Sequence, residues 1–294
     1  NDYYLLYLNH MKFKESNSSS QIGVEITDVD ISKPLSKDEL NAIYDLWVRN
    51  AVAIFPNQKL SHTEYNDFAM QFGSFGDEPF LTPMKSQVHI VELRRKATEE
   101  AMHFGGSWHS DWSFQPSPPA ATMLHSKIIP PFGGDTLFSN SALAYDEMSS
   151  ELKDKIQNLN GIHSAKLPYA DNGFYALENK KRTMKIKSSK SANKQHLHPV
   201  VREHLDTKRK SLFINPVYTI GIEGMDDMEA FEFLSELFEH MTQDKYIYRH
   251  KWKEDMLIMW DNRSVMHMAE GGYDGYERLM HRITIAGEIP IESI

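Results

Sequence analysis

Hydrophobic residues in this chain come in short bursts. Runs such as Ala51–Phe55 and Met256–Trp260 reach about five residues before a polar residue, glycine or proline ends them. Such a stretch is strand length, and it is far below the roughly 20 residues that a membrane-spanning helix needs. Runs of this kind at Ala51–Phe55, Ala121–His125, Ser211–Asn215, Asp255–Trp260 and Arg282–Ala286 predict a strand-rich core with a few helices around it.

The helices announce themselves by their caps. Ser36 is followed three residues later by Glu39, a capping box, and Leu40, Ile43, Tyr44 and Trp47 then fall on one helical stripe. Ser61 and Glu64 repeat the device ahead of Tyr65, Phe68, Ala69 and Phe72, with Gly73 as the expected stop. Further helices are expected over Ser141–Asn158 and Asp226–Met241. With 294 residues, 40% of them hydrophobic, no internal repeat and no linker-like segment, residues 11–294 read as one domain. The segment Asn1–His10 precedes a start-like Met11 and reads as an upstream extension outside the fold.

Composition narrows the chemistry. The formal charge of −9 argues against a general nucleic-acid binder. Zero cysteines remove disulfides, thiolate zinc sites, iron–sulfur clusters and cysteine nucleophiles, so any metal must be held by His, Asp or Glu. The N-terminus lacks a basic region followed by an apolar core, so a cytoplasmic protein is expected, with no membrane partner. The pairs Gly105-Gly106 and Gly133-Gly134 form no dinucleotide or Walker pattern. Seven Lys or Arg between Lys180 and Lys194 are expected to form a solvated loop.

The richest constellation is Trp108-His109-Ser110-Asp111. On a strand, residues i and i+2 share a face, so His109 and Asp111 can reach one metal ion. His267, beyond the turn-forming Asp261-Asn262, is the candidate third ligand. Two neutral imidazoles and one carboxylate leave the opposite positions of Fe(II) open for a cosubstrate and oxygen. Among 14 histidines an H-x-D pair alone is weak evidence, and a metal-dependent hydrolase or a non-catalytic cupin-like binding protein would use similar residues. Thr136 lies 27 positions after His109, and Arg278 and Arg282 lie 11 and 15 after His267. Neither alternative accounts for Thr136 and Arg278.

The segments WHSDWSF, PPFGGDTLF, HPVVREH, LFIN, WDNRSVMH and ERLMHRITI resemble those of the taurine dioxygenase family of Fe(II)/2-oxoglutarate-dependent oxygenases, which includes the 2,4-dichlorophenoxyacetate enzyme. The resemblance runs from about Gln21 to Gly287. It implies an α+β protein with a double-stranded β-helix (jelly-roll, cupin-like) core and flanking helices. It also implies hydroxylation of a small organic anion with consumption of O2 and release of succinate and CO2 from 2-oxoglutarate. His109, Asp111 and His267 would hold iron, while Arg278 and Thr136 would bind the distal carboxylate of 2-oxoglutarate.

Arg282, four residues after Arg278 on the same strand face, is expected to be free for the anionic group of the primary substrate. Where taurine enzymes place a histidine, a tyrosine and an asparagine, this chain is read as having Thr82, Lys85 and Gly105, which points away from taurine itself. Trp112 and Tyr218 are expected to add an aromatic wall, which would also suit a zwitterionic substrate through cation–π contact. Strict alternation would turn Trp112 away from Asp111, so its role in a pocket requires a bend there. The sequence leaves room for a homo-oligomer.

Overall fold

The computed structural model describes residues 10–178 and 180–291. All but His10 of the expected N-terminal extension therefore lies outside the described residues. The first half of the chain forms β1 (Lys12–Glu15), β2 (Val24–Thr27), α1 (Lys37–Asn50), β3 (Val52–Phe55), α2 (His62–Met70), β4 (Val91–Arg95), β5 (Ala121–Ile128) and β6 (Thr136–Asn140). There follow α3 (Ser141–Asp146), α4 (Ser150–Ile156), β7 (Asn160–Ser164) and the one-turn helices α5 (Lys166–Tyr169) and α6 (Phe174–Leu177). The remainder forms β8 (Gln195–Pro199), β9 (Val201–Glu203), β10 (Lys210–Leu212), β11 (Thr219–Ile222), α7 (Asp227–Met241), β12 (Ile247–His250), β13 (Leu257–Asp261), β14 (Val265–Ala269) and β15 (Arg278–Ile285). None of the described helices is long and apolar enough to cross a membrane.

A seven-stranded sheet in the order β1-β2-β3-β13-β5-β15-β4 is antiparallel except where β2 runs parallel to β3. Its central strands β3 and β13 are buried on both faces, which explains the unbroken apolar run of β13. Residues Ala53, Phe55, Leu257, Met259, Met123 and Ile283 point outward and pack under Ile43, Leu46 and Trp47 of α1 and Tyr65 and Phe68 of α2. Their strand neighbours Val52, Ile54, Leu124, Ile258 and Trp260 point inward and meet Phe138 of β6 and Val265 of β14. The latter two strands belong to the sheet β12-β6-β14. Period-two alternation thus assigns each side chain to one of two cores. A sheet β11-β7-β8, a pair β10-β9 and α7 complete the chain, with a third core around Leu237 and Met241.

Both predicted capping boxes are present: Ser36 with Glu39 and Ser61 with Glu64 each exchange hydrogen bonds between side chain and backbone. Helix α2 ends at Met70, ahead of Gly73. The single helix expected over Ser141–Asn158 is two, because Asn140 caps α3 and Ser149 caps a fresh start for α4. The basic segment is only partly solvated. Arg182 is buried against Glu178 and lies over the Tyr175 ring, an enclosed ion pair rather than a loose charge.

Candidate active site

His267 sits in the middle of β14, and His109 is bound to it by the main chain. The His109 amide donates to the His267 carbonyl at 3.0 Å, and the His267 amide donates back to the His109 carbonyl at 2.7 Å. This one-residue bridge replaces the strand expected at His109–Asp111. The chain then enters a turn in which Trp112 adopts a left-handed backbone with φ 44°. That bend is what alternation lacked. Asp111 and Trp112 consequently both face one cavity.

The bridge brings together one ligand atom from each of His109, Asp111 and His267, all within 4.8 Å of one another. Asp111 Oδ1 lies 3.6 Å from His109 Nε2 and 3.7 Å from His267 Nε2. His109 donates from Nδ1 to the Ser107 carbonyl at 2.7 Å, which leaves Nε2 as the lone-pair nitrogen. Burial, reinforced by His109 alongside it, pushes His267 down to about 3, so its ring is neutral. Burial opposes ionisation of Asp111, but the Arg282 guanidinium beside it outweighs burial and holds the carboxyl well below its ordinary range. A donor set of two neutral imidazoles and one ionised carboxylate fits Fe(II).

The Asp111 carboxylate is fixed from behind. Thr122 of β5 donates to Oδ2 at 2.6 Å, and Asn262 donates from Nδ2 to the Thr122 hydroxyl at 2.9 Å. Asn262 Oδ1 in turn accepts from the Asp111 amide and from Trp260 Nε1. In the sequence Asn262 reads only as part of a turn and Thr122 only as part of a strand, since a side-chain contact to Asp111 leaves no local signal.

Arg278 and Arg282 both lie on β15 and both are buried. Arg278 packs against the loop that leads into Thr136: its Nη2 donates to the Gly134 carbonyl at 3.3 Å, and a Cβ at Gly134 would meet Arg278 Nε at 3.2 Å. Its Nε is buried without a partner among the described residues, the state expected of a guanidinium awaiting an anion. The Thr136 hydroxyl accepts from Trp252 Nε1 at 2.9 Å and keeps its own proton to donate. Those two residues fit the distal carboxylate of 2-oxoglutarate.

Arg282 is not free as expected. Its Nη1 donates to Asp111 Oδ1 at 3.0 Å and its Nε to Glu78 Oε1 at 2.9 Å, while the second Glu78 oxygen accepts from Trp112 Nε1 at 2.8 Å. Nη2 is buried and unpartnered among the described residues. Burial raises the Glu78 pKa, with Arg282 pulling against it. Thr82 is a correction: it is exposed and does not line the cavity, and Lys85 is exposed too. The segment instead delivers Glu78, four residues earlier, to Arg282. Gly105 does line the cavity.

That cavity has a volume of about 270 Å³ and rests on His109, Asp111 and Arg282. Trp112, Tyr218, Tyr169, Tyr175 and Phe104 make it largely aromatic. Tyr218 lies edge-on to His109, with ring centroids 6.3 Å apart. Arg282 lies 5.3 Å from the Trp112 ring centre, a cation–π contact inside the wall.

A family model described as "Taurine catabolism dioxygenase TauD, TfdA family" matches residues 14–284. The chain belongs to this family. The TauD/TfdA family relatives include a 2,4-dichlorophenoxyacetate dioxygenase of Cupriavidus pinatubonensis, 33% identical over 83% of this chain and 87% of that protein. An alkylsulfatase of Acinetobacter baylyi is 30% identical over 92% of this chain and 84% of its own length. A taurine dioxygenase structure from Burkholderia xenovorans superposes with a TM-score of 0.80 at 27% identity, covering 96% of this chain and 91% of the other. The protein is therefore an Fe(II)- and 2-oxoglutarate-dependent dioxygenase.

Proposed function

We propose that this dioxygenase hydroxylates a small organic anion with an apolar body, such as an aryloxy carboxylate, a sulfonate or an alkyl sulfate ester. The observation that carries the reading is a buried arginine, Arg282, in the wall of a cavity rich in aromatic side chains that is also lined by His109 and Asp111, two members of the ligand cluster that His267 completes. The relatives point the same way: their names include activities on phenoxy acids, sulfate esters and sulfonates. The two facing sheets with helices outside are read as a double-stranded β-helix, and residues 11–294 as one catalytic domain.

In this reading His109, Asp111 and His267 hold iron, while Arg278 and Thr136 hold the distal carboxylate of 2-oxoglutarate. Iron and 2-oxoglutarate, when bound, use O2 to hydroxylate a substrate C–H bond with release of succinate and CO2. The chain's own part is orientation. Thr122 occupies Oδ2 of Asp111, so that Oδ1 alone faces the histidine nitrogens. Arg282 anchors the anionic head, and the Trp112, Tyr169 and Tyr218 rings enclose the apolar body and keep water from the reacting carbon. If that carbon carries an ether or sulfate-ester oxygen, its hydroxylated product collapses to a carbonyl compound and frees an alcohol or sulfate.

The test has two arms. Anaerobic addition of Fe(II) and 2-oxoglutarate is expected to give a weak visible charge-transfer band, which a hydrolase or an empty binding protein would not produce. A panel of aryloxy carboxylates, alkyl sulfates, sulfonates and neutral analogues, scored by substrate-dependent succinate, is expected to favour the anions. Equal stimulation by the neutral analogues would overturn the anion reading.

A further inference from the structure

Arg282 offers an incoming anion less than its position promises. Of its donor nitrogens, Nε is held by Glu78 and Nη1 by Asp111, and only Nη2 is left without a partner among the described residues. The Glu78 side chain is 6% exposed, and each of its oxygens is already engaged, one with Arg282 and one with Trp112. Each pair of nitrogens that could form a bidentate fork, the usual means by which arginine captures a carboxylate or phosphate, thus already has one member engaged by a carboxylate of the protein.

Resting on the anion reading above, we propose that Glu78 is a specificity-determining residue that restricts the substrate head to a monoanion. It acts through Arg282 and Trp112, both of which line the cavity. Asp111 is committed to the metal, and Glu78 sets a second carboxylate on the same guanidinium, so the Arg282 charge is already offset before any substrate arrives. A sulfate ester, sulfonate or carboxylate brings a single charge and can accept from Nη2 with one oxygen. A phosphate monoester of the same shape carries close to two charges at pH 8 and meets the Glu78 carboxylate as a like charge in a site with little water to screen it. Rejection by misplaced charge complements the attraction of the aromatic wall.

Hexyl sulfate and hexyl phosphate have nearly the same shape and differ in charge, so they isolate this effect. Calorimetric titration of protein loaded with Mn(II) and 2-oxoglutarate at pH 8 is expected to show hexyl sulfate binding at least about tenfold tighter than hexyl phosphate. In Glu78→Gln the sulfate-to-phosphate ratio is expected to fall to within about threefold, mainly by improved phosphate binding, while Glu78→Asp, which keeps the charge, retains the preference. An unchanged ratio in a folded Glu78→Gln protein would reduce Glu78 to a strut and overturn the inference, leaving the anion reading intact. Equal binding of the two probes by the unmodified protein would also overturn it. Failure of every one of these proteins to bind hexyl sulfate would overturn the role of Glu78, while the anion reading itself stands or falls by the substrate panel.

Discussion

Arg282 and Asp111 share one carboxylate oxygen with the histidine pair. The Nη1 of Arg282 stands 3.0 Å from Oδ1 of Asp111, the same oxygen that faces the Nε2 atoms of His109 and His267. The residue assigned to substrate and the residue assigned to metal are therefore in direct contact, and a change at either is felt by the other.

That contact separates the three ligand substitutions. His109→Ala, Asp111→Ala and His267→Ala are each expected to weaken Mn(II) binding by more than about 100-fold, beyond the loss usual for outer-shell changes, as read by electron paramagnetic resonance titration. Asp111→Ala alone also removes a partner from a buried arginine, and is expected to lower unfolding stability by up to about 3 kcal/mol, softened because Glu78 remains. Normal metal binding in any one of the three would remove that residue from the site.

Thr122→Val leaves Oδ2 of Asp111 without its donor and leaves Asn262 Nδ2 without an acceptor. Metal affinity is expected to fall about 10–100-fold, with recovery in Thr122→Ser, which keeps the hydroxyl. A competitive chelator titration measures both. Equal affinities in the valine and serine variants would mean that packing, not the hydroxyl, is what matters there.

Arg278→Ala is expected to cost about 1.5–3 kcal/mol of 2-oxoglutarate binding, roughly 10–150-fold in Kd. Thr136→Ala is expected to cost less, about 0.5–1.5 kcal/mol, with some loss of fold stability because Trp252 Nε1 loses its acceptor. Calorimetry of 2-oxoglutarate with Mn(II) present distinguishes the two. Unaltered binding in Arg278→Ala would contradict its assignment.

Acid should destabilise the fold through histidines away from the metal. Burial pushes His125, His198 and His281 down to about 4 from an ordinary value of 6.5. Between those values the unfolded chain takes up protons that the folded chain refuses, so stability is full above pH 6.5 and declines as pH falls towards 4. Each group contributes at most about 1.4 kcal/mol per pH unit in that window. Urea unfolding at a series of pH values should show a falling midpoint from pH 6.5 downward, and a flat profile would contradict the burial of these rings.

The elements that rest on local chemistry were legible in the sequence. Ser36 with Glu39 and Ser61 with Glu64 specify helix starts within four residues, and both helices begin where they should. The break between α3 and α4 was less so, since Ser149 looks like any helical serine until it caps. Around the site, alternation failed at Trp112, whose left-handed backbone is set by the turn rather than by any periodic pattern. The segment holding Glu78 has no helix or strand to fix its register, so the match to taurine enzymes points to Thr82 instead. Arg282 carried the right location but the wrong availability, because its partner Glu78 lies on a distant stretch that only folding brings near.

The reciprocal amide bonds between His109 and His267 carry a consequence for how such a site can change. They set the gap between the imidazoles through main-chain atoms that every residue possesses, so the spacing of the two histidines does not depend on which side chains line the cavity. The aromatic part of the cavity wall can then be exchanged, ring by ring, as fittings are changed on a fixed bench, while Arg282 stays tied to Asp111. New substrates call for new walls, while the bench stays where the backbone bolted it.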